Sequence, residues 1–308
     1  MINLFHIPDY KIDTSKFSNL LHDNVVSVFE EKFCQYVGAK YGCSFNSATN
    51  AIFLSLLGKK QVINVPSIIP PVVCNAVITS GNELNFIDDI QWVGDSYVLH
   101  TFNDYKIIDS AQKVEKDQFT NEALDQDLMI FSFYPTKPVG SCDGGIIVSN
   151  DKNKIEWFKQ ATLNGMTFSK DNWERKIAFP GYKMYMNSIQ CYIAEKNLQL
   201  LDEKNNKLEK VRERYNKHFG LNNSSKHLYR LNVNNRDEFI SKMKENNIQI
   251  GVHYTALHEN KTYANELVEL HKSSLEGKTT VSIPYHEKLS NNDIEKIVKG
   301  VEKYAIRV

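Results

Sequence analysis

Three short segments hold residues whose types and spacing could do chemistry. The most informative runs Phe131-Ser132-Phe133-Tyr134-Pro135-Thr136-Lys137-Pro138-Val139-Gly140-Ser141-Cys142-Asp143-Gly144-Gly145. An apolar strand leads into a turn with one lysine pinned between prolines, then a double glycine and a second apolar strand. A lysine fixed at a strand end can be desolvated in a cleft, which lowers its pKa and frees the amine for imine formation. A lone lysine is far more often a solvated surface charge, so its neighbours decide. Ile107-Ile108-Asp109-Ser110-Ala111-Gln112 sets a carboxylate at the end of an apolar strand, where α/β sheets present groups to ligands. Alone it reads more readily as an aspartate capping a turn. Asn46-Ser47-Ala48-Thr49-Asn50-Ala51 opens a helix with small residues, whose first unpaired N–H groups can receive a phosphate. Alone it is an ordinary N-cap.

Together the three make a consistent demand. A pyridoxal ring needs an amine to hold its aldehyde, a carboxylate beside its nitrogen to keep it an electron sink, and an anion site for its phosphate.

The elements that must position these groups alternate between helix and strand. Val25–Val37 has helical spacing, with Val26, Phe29, Phe33 and Val37 near one face, and Ala48–Leu57 reads as a second helix. Strands are predicted at Gln61–Val65, Leu84–Ile87, Tyr97–His100, Lys106–Ile108, Leu128–Phe133 and Ile146–Ser149. Pro66, Pro70 and Pro71 argue against a regular start to the element that follows the first of these. Met186–Phe219 is a long helix with a bend near Leu201–Glu203. After the polar run Asn222-Asn223-Ser224-Ser225 come strand, helix and strand signals at Leu228–Val233, Arg236–Asn246 and Ile250–Tyr254. Val281–Ile283 and a helix at Asn291–Tyr304, capped from Ser290, close the chain. The expectation is an α/β protein: a large lobe over residues 1–222 with a mixed, mostly parallel sheet, and a smaller α+β lobe over 223–308. The N-terminal segment is expected to pack on that smaller lobe.

Composition excludes several classes. Lys+Arg and Asp+Glu both number 37, so there is no net basic field for nucleic acid or an anionic membrane. No apolar run reaches the ~20 residues of a membrane span. Met1-Ile2-Asn3-Leu4-Phe5-His6 lacks the features of a secretory signal. The five cysteines are odd in number and form no Cys-x-x-Cys pair, which predicts reduced thiols, a cytoplasmic location and no zinc or other metal.

In this order, the three segments resemble the DegT/StrS-type nucleotide-sugar aminotransferases, which have the PLP fold type I (aspartate aminotransferase-like) architecture. Ser47-Ala48-Thr49 is similar to the family's Ser-Gly-Thr-like turn, and Asp109-Ser110-Ala111-Gln112 to its Asp-Ala-Ala-Gln-like segment. Phe131 to Gly145 is similar to its Phe-Ser-Phe…Lys…Gly-Gly segment. Further likeness lies in Pro180–Gln190, Gly251–His258 and Ser282-Ile283-Pro284, so the resemblance runs from about Glu30 to the end. The chain departs from the pattern in five places, one being the absence of the N-terminal turn that usually carries a glycine before the first large-lobe helix. Pro70 stands where an aromatic usually stacks on the cofactor, Tyr185 replaces Asn or Arg, Asn164-Gly165 replaces His-Gly, and one βα unit looks trimmed between Phe86 and Asp109.

The resemblance implies a function and roles. Lys137 would carry pyridoxal 5'-phosphate as a Schiff base and later move the substrate proton. Asp109 would pair with the pyridine nitrogen, Gln112 would sit near the ring hydroxyl, and Ala48, Thr49 and Ser132 would hold the phosphate. Pro70 would offer the ring a flat apolar face. In a homodimer with shared sites, Lys183 or Tyr185 would point to the partner's cofactor, and His253, Tyr254 and His258 would meet the sugar. The expected reaction passes an amino group, from glutamate, to a keto-deoxysugar nucleotide in polysaccharide biosynthesis. The alternatives are a sugar dehydratase on the same fold, whose members replace the lysine with histidine, and a non-catalytic member.

Overall fold

The structure is a computed structural model and describes residues 1–10, 12–167, 176–263 and 268–308. Helix α1 (Val25–Val37) buries Phe29, Phe33 and Val37, four residues apart, and ends at Gly38 in the left-handed conformation. Strand β1 (Tyr41–Phe45) follows, then α2 (Ala48–Leu56), whose cap Ser47 accepts the Asn50 N–H. Next come β2 (Val62–Pro66), α3 (Pro71–Thr79) and β3 (Glu83–Ile87). The prolines do not prevent a regular element here. Pro71 opens α3, because a missing N–H is harmless at the first helical position and the ring presets φ.

Strands β4 (Tyr97–Thr101) and β5 (Lys106–Asp109) precede the short α4 (Gln118–Glu122), β6 (Leu128–Ser132) and β7 (Gly145–Ser149). The main sheet has the order β1-β7-β6-β5-β4, and β2 and β3 form a separate parallel pair. The sheet is mixed: β5 and β6 pair in parallel, whereas β7 is antiparallel to both β1 and β6, and β4 is antiparallel to β5. Residues 102–105 alone join β4 to β5. A link that short can only return as a hairpin, since a parallel crossover takes a dozen residues or more. The trimmed unit expected between Phe86 and Asp109 is therefore a hairpin, with Tyr97 opposite Asp109.

Helix α5 (Lys152–Thr162) is followed by α6 (Ser188–Gln199) and α7 (Leu201–Phe219), which break at Leu200, one residue before the expected bend. The remaining elements are β8 (Tyr229–Asn232), α8 (Arg236–Glu245), α9 (His271–Thr279), β9 (Thr280–Ile283) and α10 (Asn291–Tyr304). Ile250–Tyr254 does not form the strand expected of it. Gly251 makes one bridge to Ser282, and the chain then turns away so that the Tyr254 hydroxyl meets Gln112.

Successive strand residues face opposite sides, so each face of the main sheet has its own core. Ile107 and Ile130 join Ile52, Ile63 and Val65 on one side; Ile108 and Phe131 join Phe29, Phe33 and Ile146 on the other. Fully burying one such side chain contributes about 1.5–3 kcal/mol. A third core gathers Leu208, Tyr215, Tyr229, Phe239 and Ile297 between α7, β8, α8 and α10. Helix α7 starts with Leu201 in the second core and ends with Phe219 in the third. The N-terminal residues pack beside this third core, where Ile2 bridges Ile248 and the Leu4 N–H donates to Gln249.

Candidate active site

The strands β1, β5 and β6 run in one direction and end at Phe45, Asp109 and Ser132. Gly145, at the start of β7, pairs with both Phe45 and Ser132. This edge of the sheet collects the three segments singled out by sequence. A Cβ on Gly145 would lie 2.6 Å from the Ala48 nitrogen, so glycine is what lets the start of α2 sit against β7. Ser47 takes the Asn50 N–H, and no described residue accepts from the Ala48 or Thr49 N–H. Ser132 is buried, and its Oγ accepts the Tyr134 N–H at 3.3 Å. Two free helix N–H groups and a hydroxyl, with only a glycine between, suit a phosphate.

Lys137 sits in a turn closed by its own N–H donating to the Tyr134 carbonyl at 2.8 Å, with Pro135 between them. Its side chain is part-buried beside a cavity of about 270 Å³, also lined by Tyr10, Lys204 and Glu287. Desolvation lowers the Lys137 pKa to about 8, against the opposing pull of Asp109. At that value a sizeable fraction of the amine is neutral near physiological pH, which is the state a nucleophile needs.

Asp109 is buried at the end of β5. Its carboxylate accepts the Ala111 N–H at 2.9 Å and the Tyr97 hydroxyl at 3.0 Å. Burial raises its pKa, and these two donors and the Lys137 charge pull it back. The charges of Asp109 and Lys137 influence each other. Gln112 is fully engaged: its Oε1 accepts the Gly94 N–H and its Nε2 donates to the Tyr254 hydroxyl. The Tyr254 ring lies parallel to Trp92, with centroids 6.5 Å apart.

The other residues expected at the site are placed unevenly. His253 lies near Lys137: desolvation first, then the Lys137 and Arg230 charges, pull its pKa down to about 4, and its Nδ1 meets Ser282 Oγ. His258 is not brought there, because its two ring nitrogens face the hydroxyls of Ser67 and Ser274. Pro70 is the N-cap of α3. Lys183 is exposed and bridges Leu163, whereas Tyr185 bridges Phe45 and sets its ring tilted against that of His22, with centroids 4.5 Å apart.

Sequence reasoning missed His227, Phe5, Trp92 and Tyr97. His227 is buried, stacks on Phe5, and is held neutral by desolvation and by the charges of Lys137 and its neighbours. It follows a polar run that carries no periodic signal. Trp92 is fixed by donating Nε1–H to the Ile68 carbonyl at 3.0 Å; only the rarity of tryptophan marked it. A cavity of about 810 Å³ lies elsewhere, around Phe102, Tyr105 and Trp157, and is lined by none of these groups.

Comparison with known proteins identifies the family and the fold. The model of the DegT/DnrJ/EryC1/StrS aminotransferase family matches residues 12–91 and 123–302. The unmatched stretch between them holds β4 and β5, and with them Asp109 and Gln112. UDP-4-amino-4,6-dideoxy-N-acetyl-beta-L-altrosamine transaminase of Campylobacter jejuni is 25% identical, over 97% of this chain and 99% of its own. The aminotransferase TlmJ from Streptoalloteichus hindustanus has the same fold, with a TM-score of 0.81 at 20% identity, covering 98% of each chain. Helicobacter pylori PseC, an aminotransferase of pseudoaminic acid biosynthesis, superposes with a TM-score of 0.78 at 19% identity, over 97% of this chain and 98% of that one.

Proposed function

Because the chain belongs to the DegT/DnrJ/EryC1/StrS aminotransferase family, whose members depend on pyridoxal 5'-phosphate, we propose that it passes an amino group from glutamate to a keto-deoxysugar carried on a nucleotide. The observation that carries this reading is the pairing of a desolvated amine, Lys137, with a buried carboxylate, Asp109, at one edge of the sheet. The residues present fit the cofactor. The amine, the carboxylate and a start of α2 with two free N–H groups are the three functions that its aldehyde, ring nitrogen and phosphate require.

When bound, the cofactor supplies an electron sink for the bond that breaks at the substrate carbon. The chain supplies position and protons. Lys137 would be the attachment point, and its Nζ would take up and return the substrate proton. Asp109 would accept from the ring nitrogen, and the Ala48 and Thr49 N–H groups and the Ser132 hydroxyl would hold the phosphate. Gln112, tied to Gly94 and Tyr254, holds the wall of the site beside the ring. Pro70 would offer the ring a flat apolar face. His253 and Tyr254 face the sugar, and in a cytoplasmic homodimer Lys183 and Tyr185 reach the partner's site. Residues 1–222 and 223–308 act as the large and small lobes that enclose the substrate.

The test is direct. Purified protein mixed with pyridoxal phosphate is expected to gain a visible absorption band, and borohydride reduction is expected to leave the added mass on Lys137. Glutamate should bleach the band, and UDP-linked keto-sugars should restore it, beginning with the keto counterpart of the Campylobacter relative's sugar. A protein that stays colourless and gains no mass at Lys137 would overturn the reading.

A further inference from the structure

The shortened stretch between β3 and β5 has installed something as well as removing it. The register of the β4–β5 hairpin sets Tyr97 opposite Asp109, and side chains at paired positions leave the same face of a sheet. The Tyr97 hydroxyl donates to Asp109 Oδ2 at 3.0 Å, the other oxygen taking the Ala111 N–H at 2.9 Å. The phenol ring is held in place by Trp92, whose ring centre lies 4.7 Å away. Both aromatics fall within residues 92–122, the stretch that the family model leaves unmatched.

We propose that Tyr97 is a positioning residue that keeps the Asp109 carboxylate ionised and aimed for the ring nitrogen of the cofactor. This rests on the reading above that Asp109 receives that nitrogen.

The surrounding groups are consistent with the role. Burial alone pushes Asp109 toward its neutral form, and among the described residues the Tyr97 hydroxyl is the only side-chain hydrogen bond opposing that push. Burial first, then the Asp109 charge, raises Tyr97 well above the usual phenol value, so the hydroxyl keeps its proton across the working range. Cys74 faces Tyr97, and Tyr254 faces both Tyr97 and Asp109. Both are raised by burial and therefore neutral. Lys137 is the charged group that reaches the carboxylate from the neighbouring turn. A donor to the ionised form lowers a carboxyl pKa, and its loss raises it.

The experiment measures the pH dependence of pyridoxal phosphate binding to the full chain by absorbance, for wild type, Tyr97→Phe, Asp109→Asn and the double variant. Loss of the Tyr97 donor is expected to move the acid limb of binding upward by about one pH unit. In the Asp109→Asn background Tyr97→Phe should add no shift. Site-specific 3,5-difluorotyrosine at position 97, a stronger donor of nearly the same size, should move the limb downward, and it decides the matter if Tyr97→Phe does not fold. Coincident limbs for wild type, the folded phenylalanine variant and the fluorinated chain would overturn the proposal. So would a shift that persists in the Asp109→Asn background. Wild type that binds no cofactor at any pH would instead remove the proposed function, and this inference with it.

Discussion

Ser67 and His258 meet twice: the Ser67 hydroxyl oxygen accepts the His258 backbone N–H at 3.1 Å and lies 2.6 Å from the ring Nδ1. The far nitrogen, Nε2, lies 3.2 Å from Ser274 Oγ. A hydroxyl that accepts the backbone N–H can donate to Nδ1, which leaves Nε2 carrying the hydrogen toward Ser274. This histidine fastens Ser67, just after β2, to Ser274 within α9.

His258→Ala is therefore expected to cost about 1–3 kcal/mol of stability, because it takes the ring acceptor from the buried Ser67 hydroxyl, which keeps only the backbone N–H, and the ring partner from the half-buried Ser274. Cofactor uptake should survive. Urea denaturation of the variant, read alongside its absorbance with pyridoxal phosphate, separates the two effects; unchanged stability with lost binding would reverse the assignment.

Lys137 carries a folded-state cost in the absence of cofactor. Its pKa falls from 10.5 to about 8 on folding, so the unfolded chain binds more protons between those values. Stability then rises with pH from about 8 to 10.5, and below 8 the penalty is present in full, on the order of 3 kcal/mol before Asp109 loses its counter-charge. Lys137→Met should raise the melting temperature of the cofactor-free protein at pH 7, with the gain fading toward pH 10. The same variant should form no covalent adduct.

His253 works with the same sign at lower pH. Its pKa drops from 6.5 to about 4, chiefly by desolvation, so the unfolded chain takes up the extra proton between those values. The stability it permits is complete above 6.5 and is lost as pH falls toward 4. The loss is on the order of 3 kcal/mol at most. His253→Gln should flatten the acid side of a stability-against-pH curve measured by thermal melts; an identical acid slope would refute this.

Gly145→Ala would press a methyl group against the Ala48 nitrogen, where the contact would be 2.6 Å. Overpacking of this kind costs about 1–3 kcal/mol, and here the movable partner is the helix start proposed to hold the phosphate. Weaker binding of pyridoxal phosphate, and of inorganic phosphate as its competitor, is expected by equilibrium dialysis. Glycine-like affinity in the variant would place the phosphate elsewhere.

The sequence was most readable where local chemistry and periodicity agreed. Helices α1 and α10 match their predicted limits, since four-residue spacing and caps at Gly38 and Ser290 are local signals. Strands β5, β6 and β7 lie within a residue or so of expectation, and they bring Lys137, Asp109, Ser132 and the start of α2 to one edge. What escaped was decided at a distance. Pro71 opens a helix because its neighbours place it at the first turn, and Ile250–Tyr254 leaves the sheet because Tyr254 is drawn to Gln112. Tyr97 gave a strand signal, but its contact with Asp109 depends on hairpin register, which no single segment encodes. His258, chosen for its type and loop, is held instead by two serines far away in sequence.

Helix α7 roots one end in the core under the main sheet and the other in the core of β8, α8 and α10. A single unbroken rod shared by two interiors couples their melting. Neither interior can come apart without fraying hydrogen bonds that the other needs, so the two should disassemble in one cooperative step rather than as separable units.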